Sequence, residues 1–212
     1  TPLNIILATM QLINKNIENK NIISNEEVDL KKYMTSIKQN CYRLLRLVNN
    51  IIDMNKIDYG YYDIELGNYN IVSVVEDITM SVLEYIKNKG IELIFDTDTE
   101  EEIIACDPDK IERIILNLLS NAIKYTRPDG KIIVNINSDK ENVYISVKDT
   151  GIGMPKQKLN KIFNRYEQID NKLTKSFNGS GIGLSLVKSL VEMHKGKITV
   201  ESKENEGSKF TI

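Results

Sequence analysis

Long apolar runs are missing from this chain. No stretch approaches the ~20 residues that span a bilayer, and no signal peptide opens it. An excess of one charge is missing too. Lys and Arg number 28 against 30 Asp and Glu, for a net charge of −2. That balance argues against a nucleic-acid-binding surface, and the interspersed signs read as solvated surface. Cysteine is scarce. Cys41 and Cys106 lie far apart, show no metal-ligand spacing and suit a reduced, cytosolic compartment. Histidine occurs once, as His194. It falls in the last turn of a helical pattern, where a positive or hydrogen-bonding side chain is favoured, and reads as structural. There is no internal repeat and no low-complexity tract. These absences exclude nucleic-acid partners, a histidine- or cysteine-based metal centre and a membrane contact within this stretch.

What is present is enough for one or two domains. At 212 residues the chain can bury a core without disulfides or metals. A start on Thr1-Pro2, without Met, is expected of a piece of a longer protein.

The first sixty residues read as helix. Leu3, Ile6, Met10, Ile13 and Ile17 recur at alternating three- and four-residue steps. A break follows at 21–26, where Ser24 and Glu27 have capping-box spacing. Leu30, Met34, Ile37, Cys41, Leu44, Val48 and Ile51 then repeat the alternation. Two such helices make an antiparallel hairpin. Leu45, Leu47 and Ile52 lie off the main stripe, a surplus that a four-helix bundle formed by two chains would bury. Tyr59, Tyr61 and Tyr62 with Gly60 and Gly67 interrupt the heptads and mark a boundary, giving domains at 1–62 and 63–212.

The remainder mixes periods. Residues 73–89 read as helix and 91–95 as strand. Residues 108–125 form a helix, with Asp107 as N-cap and Pro108 at its first position. Residues 131–137 and 142–148 are strands joined by a hairpin turn. A helix over 183–195 stops at Gly196, and 197–203 with 208–212 form a last strand pair. Helices with antiparallel strands in this arrangement predict an α+β fold, one sheet covered by helices on one face.

Three clusters carry chemistry. Asn117 and Asn121 are four apart on a helix, so their amides share one face, with Lys124 and Tyr125 near its end. Asparagine is a mediocre helix former; a hard cation held by an amide oxygen, phosphates and water gives the pair a purpose. Two solvated asparagines are the plainer alternative. Asp149 ends a strand on the same inward face as Val143, Ile145 and Val147. A carboxylate aimed at an apolar interior needs a donor, which an adenine amine supplies. The alternative is an Asp that opens the turn 150–153. Gly151 and Gly153 would let a ligand approach the backbone closely. Gly179, Gly181 and Gly183 precede a helix, whose bare amides make an anion site; a flexible glycine turn is the alternative. The pattern is neither the dinucleotide fingerprint nor a P-loop. The polar stretch 156–178, with Phe163, Arg165, Tyr166 and Lys175, reads as a lid.

In this order the clusters resemble a family. Residues 117–126 (NLLSNAIKYT), 149–154 (DTGIGM), 162–166 (IFNRY) and 178–184 (NGSGIGL) are similar to the N, G1, F and G2 boxes of bacterial sensor histidine kinases. Residues 206–210 (EGSKF) resemble a third glycine box, and 53–60 (DMNKIDYG) the end of a dimerisation helix. The resemblance implies an ATP-binding α/β sandwich behind a dimerisation hairpin. The activity it implies is transfer of the γ-phosphoryl of Mg²⁺-bound ATP to a histidine, then to an aspartate of a response regulator receiver domain.

By the same resemblance Asn121 holds Mg²⁺ with help from Asn117, and Lys124 and Tyr125 contact nucleotide or phosphate. Asp149 binds adenine beside Gly151 and Gly153. Gly179, Ser180, Gly181, Ile182, Gly183 and Leu184 surround the phosphates, with Lys175 a basic lid residue. Thr1-Pro2-Leu3 matches the tail of the family's His-Glu-x-x-Thr-Pro motif. The acceptor histidine would fall four residues before Thr1, so this stretch alone is not expected to autophosphorylate. Thr1 matches the threonine that helps position water for dephosphorylating the regulator. Asn178 departs from a common glycine of the G2 box. A cytoplasmic location follows for this stretch, with a parent anchored in the membrane. The competing readings are another ATPase of the same nucleotide fold, an anti-sigma serine kinase, and a non-catalytic dimer scaffold.

Overall fold

The computed structural model describes residues 2–18, 26–167 and 181–212. The chain divides into two compact units, Thr1–Gly60 and Tyr61–Ile212.

The first unit holds two helices packed on each other, α1 (Pro2–Glu18) and α2 (Glu26–Asp58). The apolar stripe expected to form one seam is divided between two faces. Ile6 and Ile13 of α1 are half-buried around buried Thr9, and Ile37, Leu44 and Leu47 of α2 are half-buried around buried Asn40. Leu3, Met10, Met34, Val48 and Ile51, assigned to that seam by their spacing, are instead exposed, together with Leu7, Leu45 and Ile52. The reason is geometric: one helix covers only one stripe of its neighbour, so the other flank of each stays open.

The second unit is α+β. Its main sheet has the order β2-β4-β5-β7-β6, with β2 Glu92–Thr97, β4 Lys131–Ser138, β5 Val143–Asp149, β6 Thr199–Lys203 and β7 Gly207–Thr211. Ile132, Val134 and Ile136 of β4 and Ile145 and Val147 of β5 point to one buried face, the two-residue period of a half-covered sheet. Helix α5 (Pro108–Tyr125) packs on β4 and β5, flanked by α3 (Ile71–Ser81) and α6 (Gly183–Met193).

Three features differ from the sequence expectation. The sheet is mixed, because β2 and β4 are parallel while the other pairs are antiparallel. A parallel pair needs a long crossover, and here β3 (Ile103–Cys106) and α5 supply it. β3 was not anticipated. It has four residues and pairs with β1 (Gly67–Asn70), far away in sequence, so no hairpin signal marks it. The helix expected over 73–89 begins at Ile71, where Asn70 Oδ1 accepts from Val72 N–H, and divides at Val82 into α3 and α4 (Leu83–Lys87). Thr79 and Ser81 hydroxyls donate to the carbonyls of Val75 and Ile78, the local bonding that competes with a continuing helix.

Candidate functional site

Helix α5 is the spine of the site. Asp107 caps it, its Oδ1 accepting from the amides of Asp109 and Lys110 at 3.1 and 3.3 Å, with Pro108 at the first helical position. Ile111, Ile114, Ile115, Leu118 and Leu119 are buried. Asn117, Asn121 and Tyr125 lie at four-residue steps on another flank, a line ~12 Å long at 1.5 Å per residue.

Each end of that line meets a glycine cluster. Asn117 is buried and its Nδ2 donates to Arg113 O at 2.8 Å. Its Oδ1 lies 3.3 Å from where a Cβ on Gly183 would stand, so the first residue of α6 lies against it. Ile182, the N-cap of α6, offers no side-chain cap. The first amides of such a helix are anion donors. At the other end Ile152 N–H donates to Tyr125 O at 3.2 Å, and a Cβ on Gly151 would lie 2.4 Å from that same oxygen. Between them Asn121 is half-buried, and its side chain makes no hydrogen bond to another described residue. Lys124 Nζ stands 4.7 Å from the centroid of the Tyr125 ring.

Asp149 is 5 % exposed, on the inward face of β5 beside Ile132 of β4 and Ser208 of β7. Burial pushes its carboxyl up to about 6, against the pull of hydrogen bonds from the Gly151 and Ser208 amides. The Gly151 amide donates to Oδ1 at 2.8 Å. The Gly151 amide orients a carboxylate that keeps acceptor capacity to spare.

The glycines are required for a different reason than the one expected. At Gly153 φ is +60°, and a Cβ would stand 1.9 Å from Lys203 O. Asn205 N–H donates to Ile152 O at 2.7 Å and Met154 N–H to Ser202 Oγ at 2.8 Å. Protein backbone, not open space, fills the side where a side chain would go. The turn 150–153 is thus clasped between α5 and the β6–β7 hairpin. Gly181 is similarly pressed against Tyr166, whose N–H donates to Gly181 O at 2.9 Å. Phe163 meets Phe210 of β7 edge-on at 6.5 Å.

Of the residues singled out from sequence, Asn117, Asn121, Lys124, Tyr125, Asp149, Gly151, Gly153, Gly181, Ile182, Gly183 and Leu184 are described. Thr1, Lys175, Gly179 and Ser180 lie outside the described residues, as does the part of the stretch read as a lid from 168 to 178. Sequence reasoning gave Gly207 and Ser208 no part in the site. Gly207 has φ +96°, and a Cβ there would stand 1.9 Å from Asp149 O. Ser208 pairs with Asp149 across the strands, and its amide works to lower the pKa of the carboxyl. The only signal for them was the third glycine box.

Residues 106–212 match the family model described as "Histidine kinase-, DNA gyrase B-, and HSP90-like ATPase". Histidine kinase P4 of Formosa agariphila is 33% identical over 215 residues, covering 100% of this chain and 15% of its own length. Sensor histidine kinase WalK of Bacillus subtilis is 31% identical, covering 88% of this chain and 31% of its own. The chain thus spans less than a third of either relative. Among solved structures, histidine kinase ThkA in complex with response regulator protein TrrA superposes with a TM-score of 0.69 at 26% identity, over 97% of this chain and 57% of that one. The chain therefore belongs to the histidine kinase-, DNA gyrase B- and HSP90-like ATPase family, as the core of a sensor histidine kinase.

Proposed function

We propose that the second unit binds Mg²⁺-bound ATP along α5, and that the whole protein passes the γ-phosphoryl to a histidine and then to an aspartate of a response regulator. The observation that carries this reading is the line Asn117–Asn121–Tyr125, with a buried carboxylate at one end and the start of α6 at the other. Asp149 accepts a hydrogen bond from the adenine amine, with Gly151 and Gly153 shaping the turn beside it. The amide oxygen of Asn121, with Asn117 behind it, faces the cation. Gly181, Ile182, Gly183 and Leu184 bring backbone donors to the phosphates, and Lys124 adds charge near Tyr125. Among the described residues no group of three or more His, Cys, Asp or Glu could hold a metal, and a hard cation bound through amide and phosphate oxygens needs none. Bound Mg²⁺-ATP supplies the phosphoryl group; the protein's share is positioning and charge stabilisation.

The first unit, taken as 1–62, pairs with a second copy through its exposed apolar flanks to form a four-helix bundle. Residues 63–212 form the ATP-binding domain. The ThkA complex with TrrA supports a receiver domain as partner. Among the described residues no helix is long and apolar enough to cross a membrane. We place this stretch in the cytoplasm, with any membrane anchor elsewhere in the whole protein.

Isothermal titration with a non-hydrolysable ATP analogue tests the site. Wild type binds more tightly with Mg²⁺ than without. Asp149→Asn binds at least about tenfold more weakly, the cost of a lost hydrogen bond to a charged group. No heat from wild type, with or without Mg²⁺, removes this reading in favour of a scaffold.

A further inference from the structure

Helices α5 and α6 pack on each other, and two contacts mark their register. One is the approach of Gly183 to Asn117. The other lies at the far end of α6, where Asp107 N–H donates to His194 Nε2 at 3.1 Å. A backbone amide can only donate, so Nε2 is the bare nitrogen and Nδ1 carries the hydrogen. His194 Nδ1 gives it to Leu190 O at 2.8 Å. In this one tautomer the ring caps the end of α6 and fastens it to the start of α5.

The anchor itself does not yield easily. Asp107 is buried, and its carboxylate receives Asp109 and Lys110 N–H on Oδ1 and Glu65 N–H on Oδ2 at 3.0 Å, with Lys110 Nζ 3.4 Å away. Burial works to raise its pKa, but these donors outweigh it and hold the carboxyl below its ordinary value. The dimensions agree across the pair. The 11 residues of α6 rise ~16 Å, and the span from Asp107 to Asn117 rises ~15 Å. The helices therefore run antiparallel, with Gly183 against Asn117 at one end of α6 and His194 against Asp107 at the other. A slide of α6 along α5 would have to break the contact at His194.

We infer that His194 is a positioning residue for nucleotide binding: held by Asp107, it sets the register that keeps the first amides of α6 beside Asn117. The inference rests on the ATP-site reading above. A role confined to stability predicts something else, namely a lower unfolding temperature with an unchanged dissociation constant.

The test compares wild type, His194→Phe, which keeps a ring without nitrogens, and His194→Gln, whose side chain can still accept from Asp107 N–H. The ATP analogue is titrated with Mg²⁺ well below each unfolding midpoint. Nitrogen–nitrogen coupling between Asp107 N and His194 Nε2 is read by NMR in wild type. The coupling should be present. His194→Phe should bind about tenfold more weakly, within the range of mutations that act through packed networks, and His194→Gln should recover to within about threefold. If His194→Phe does not fold, His194→Asn replaces it; its side chain is too short to reach Asp107, so it should bind more weakly than His194→Gln. Equal affinity across the folded variants overturns the inference while leaving the site reading intact. A wild type that binds no nucleotide overturns the site reading and takes this inference with it.

Discussion

Asp149 carries a proton problem that its neighbours only partly relieve. Its carboxyl is pushed up to about 6 by burial, while an unfolded chain titrates near 3.9. Below pH ~4 both states hold the proton and nothing is lost. As pH rises through the window between ~4 and ~6, the unfolded state ionises first and stability falls. At pH 7 the ionised group costs on the order of 3 kcal/mol. Urea unfolding at pH 5 and pH 7.5 checks this. Asp149→Asn should gain on wild type by about 1–1.5 kcal/mol between the two, since part of the cost is already present at pH 5, and parallel pH dependences would remove the argument. The inward aim of Asp149 was legible because the two-residue period of β5 runs through Val143, Ile145 and Val147. The donor from Ser208 was not, since nothing in a single chain announces which strand will lie beside β5.

At the scale of elements, legibility followed local chemistry. Helix α5 begins at the residues expected because Asp107 and Pro108 act within one turn of its start. The reach of the β6–β7 hairpin to Gly153 and Asp149 depends on contacts about fifty residues apart, and from sequence alone the glycines read as openings for a ligand. Substitution separates the two ideas. Gly207→Ala puts a methyl against Asp149 O at φ +96° and should cost about 3 kcal/mol or more. Gly90, at φ +69°, has nothing nearer than Pro128 Cβ at 3.6 Å, so Gly90→Ala should cost only about 1–2 kcal/mol. Chemical unfolding of both variants reads the difference directly, and similar costs would show that the clasp contributes little. The parallel pairing of β2 with β4 is a third case. Its cause, the crossover through β3 and α5, depends on a four-residue strand too short to read.

For the whole molecule, the apolar flanks of the first unit are the largest unfinished business. Leu3, Leu7 and Met10 on α1 and Met34, Leu45, Val48 and Ile52 on α2 are all more than 40% exposed. Their spacing was visible as a heptad, but which members face the neighbouring helix depends on how two helices of one chain divide the stripe. Sedimentation of the full chain at micromolar concentration should give a dimer. Leu45→Glu combined with Ile52→Glu should give a monomer that still binds the ATP analogue. A wild-type monomer, or a dimer unmoved by both charges, would place the contact elsewhere.

The position of β7 sets an order of events during synthesis. This strand sits between β5 and β6 in space, yet the ribosome makes it after every other strand of the sheet. Until it inserts, Asp149 lacks the Ser208 amide and the turn after it lacks its clasp. A nascent or prematurely ended chain would carry every other feature of the site in an unassembled form. On the proposed ATP site, competence to hold a nucleotide would then wait until the chain has been made to the end of this strand.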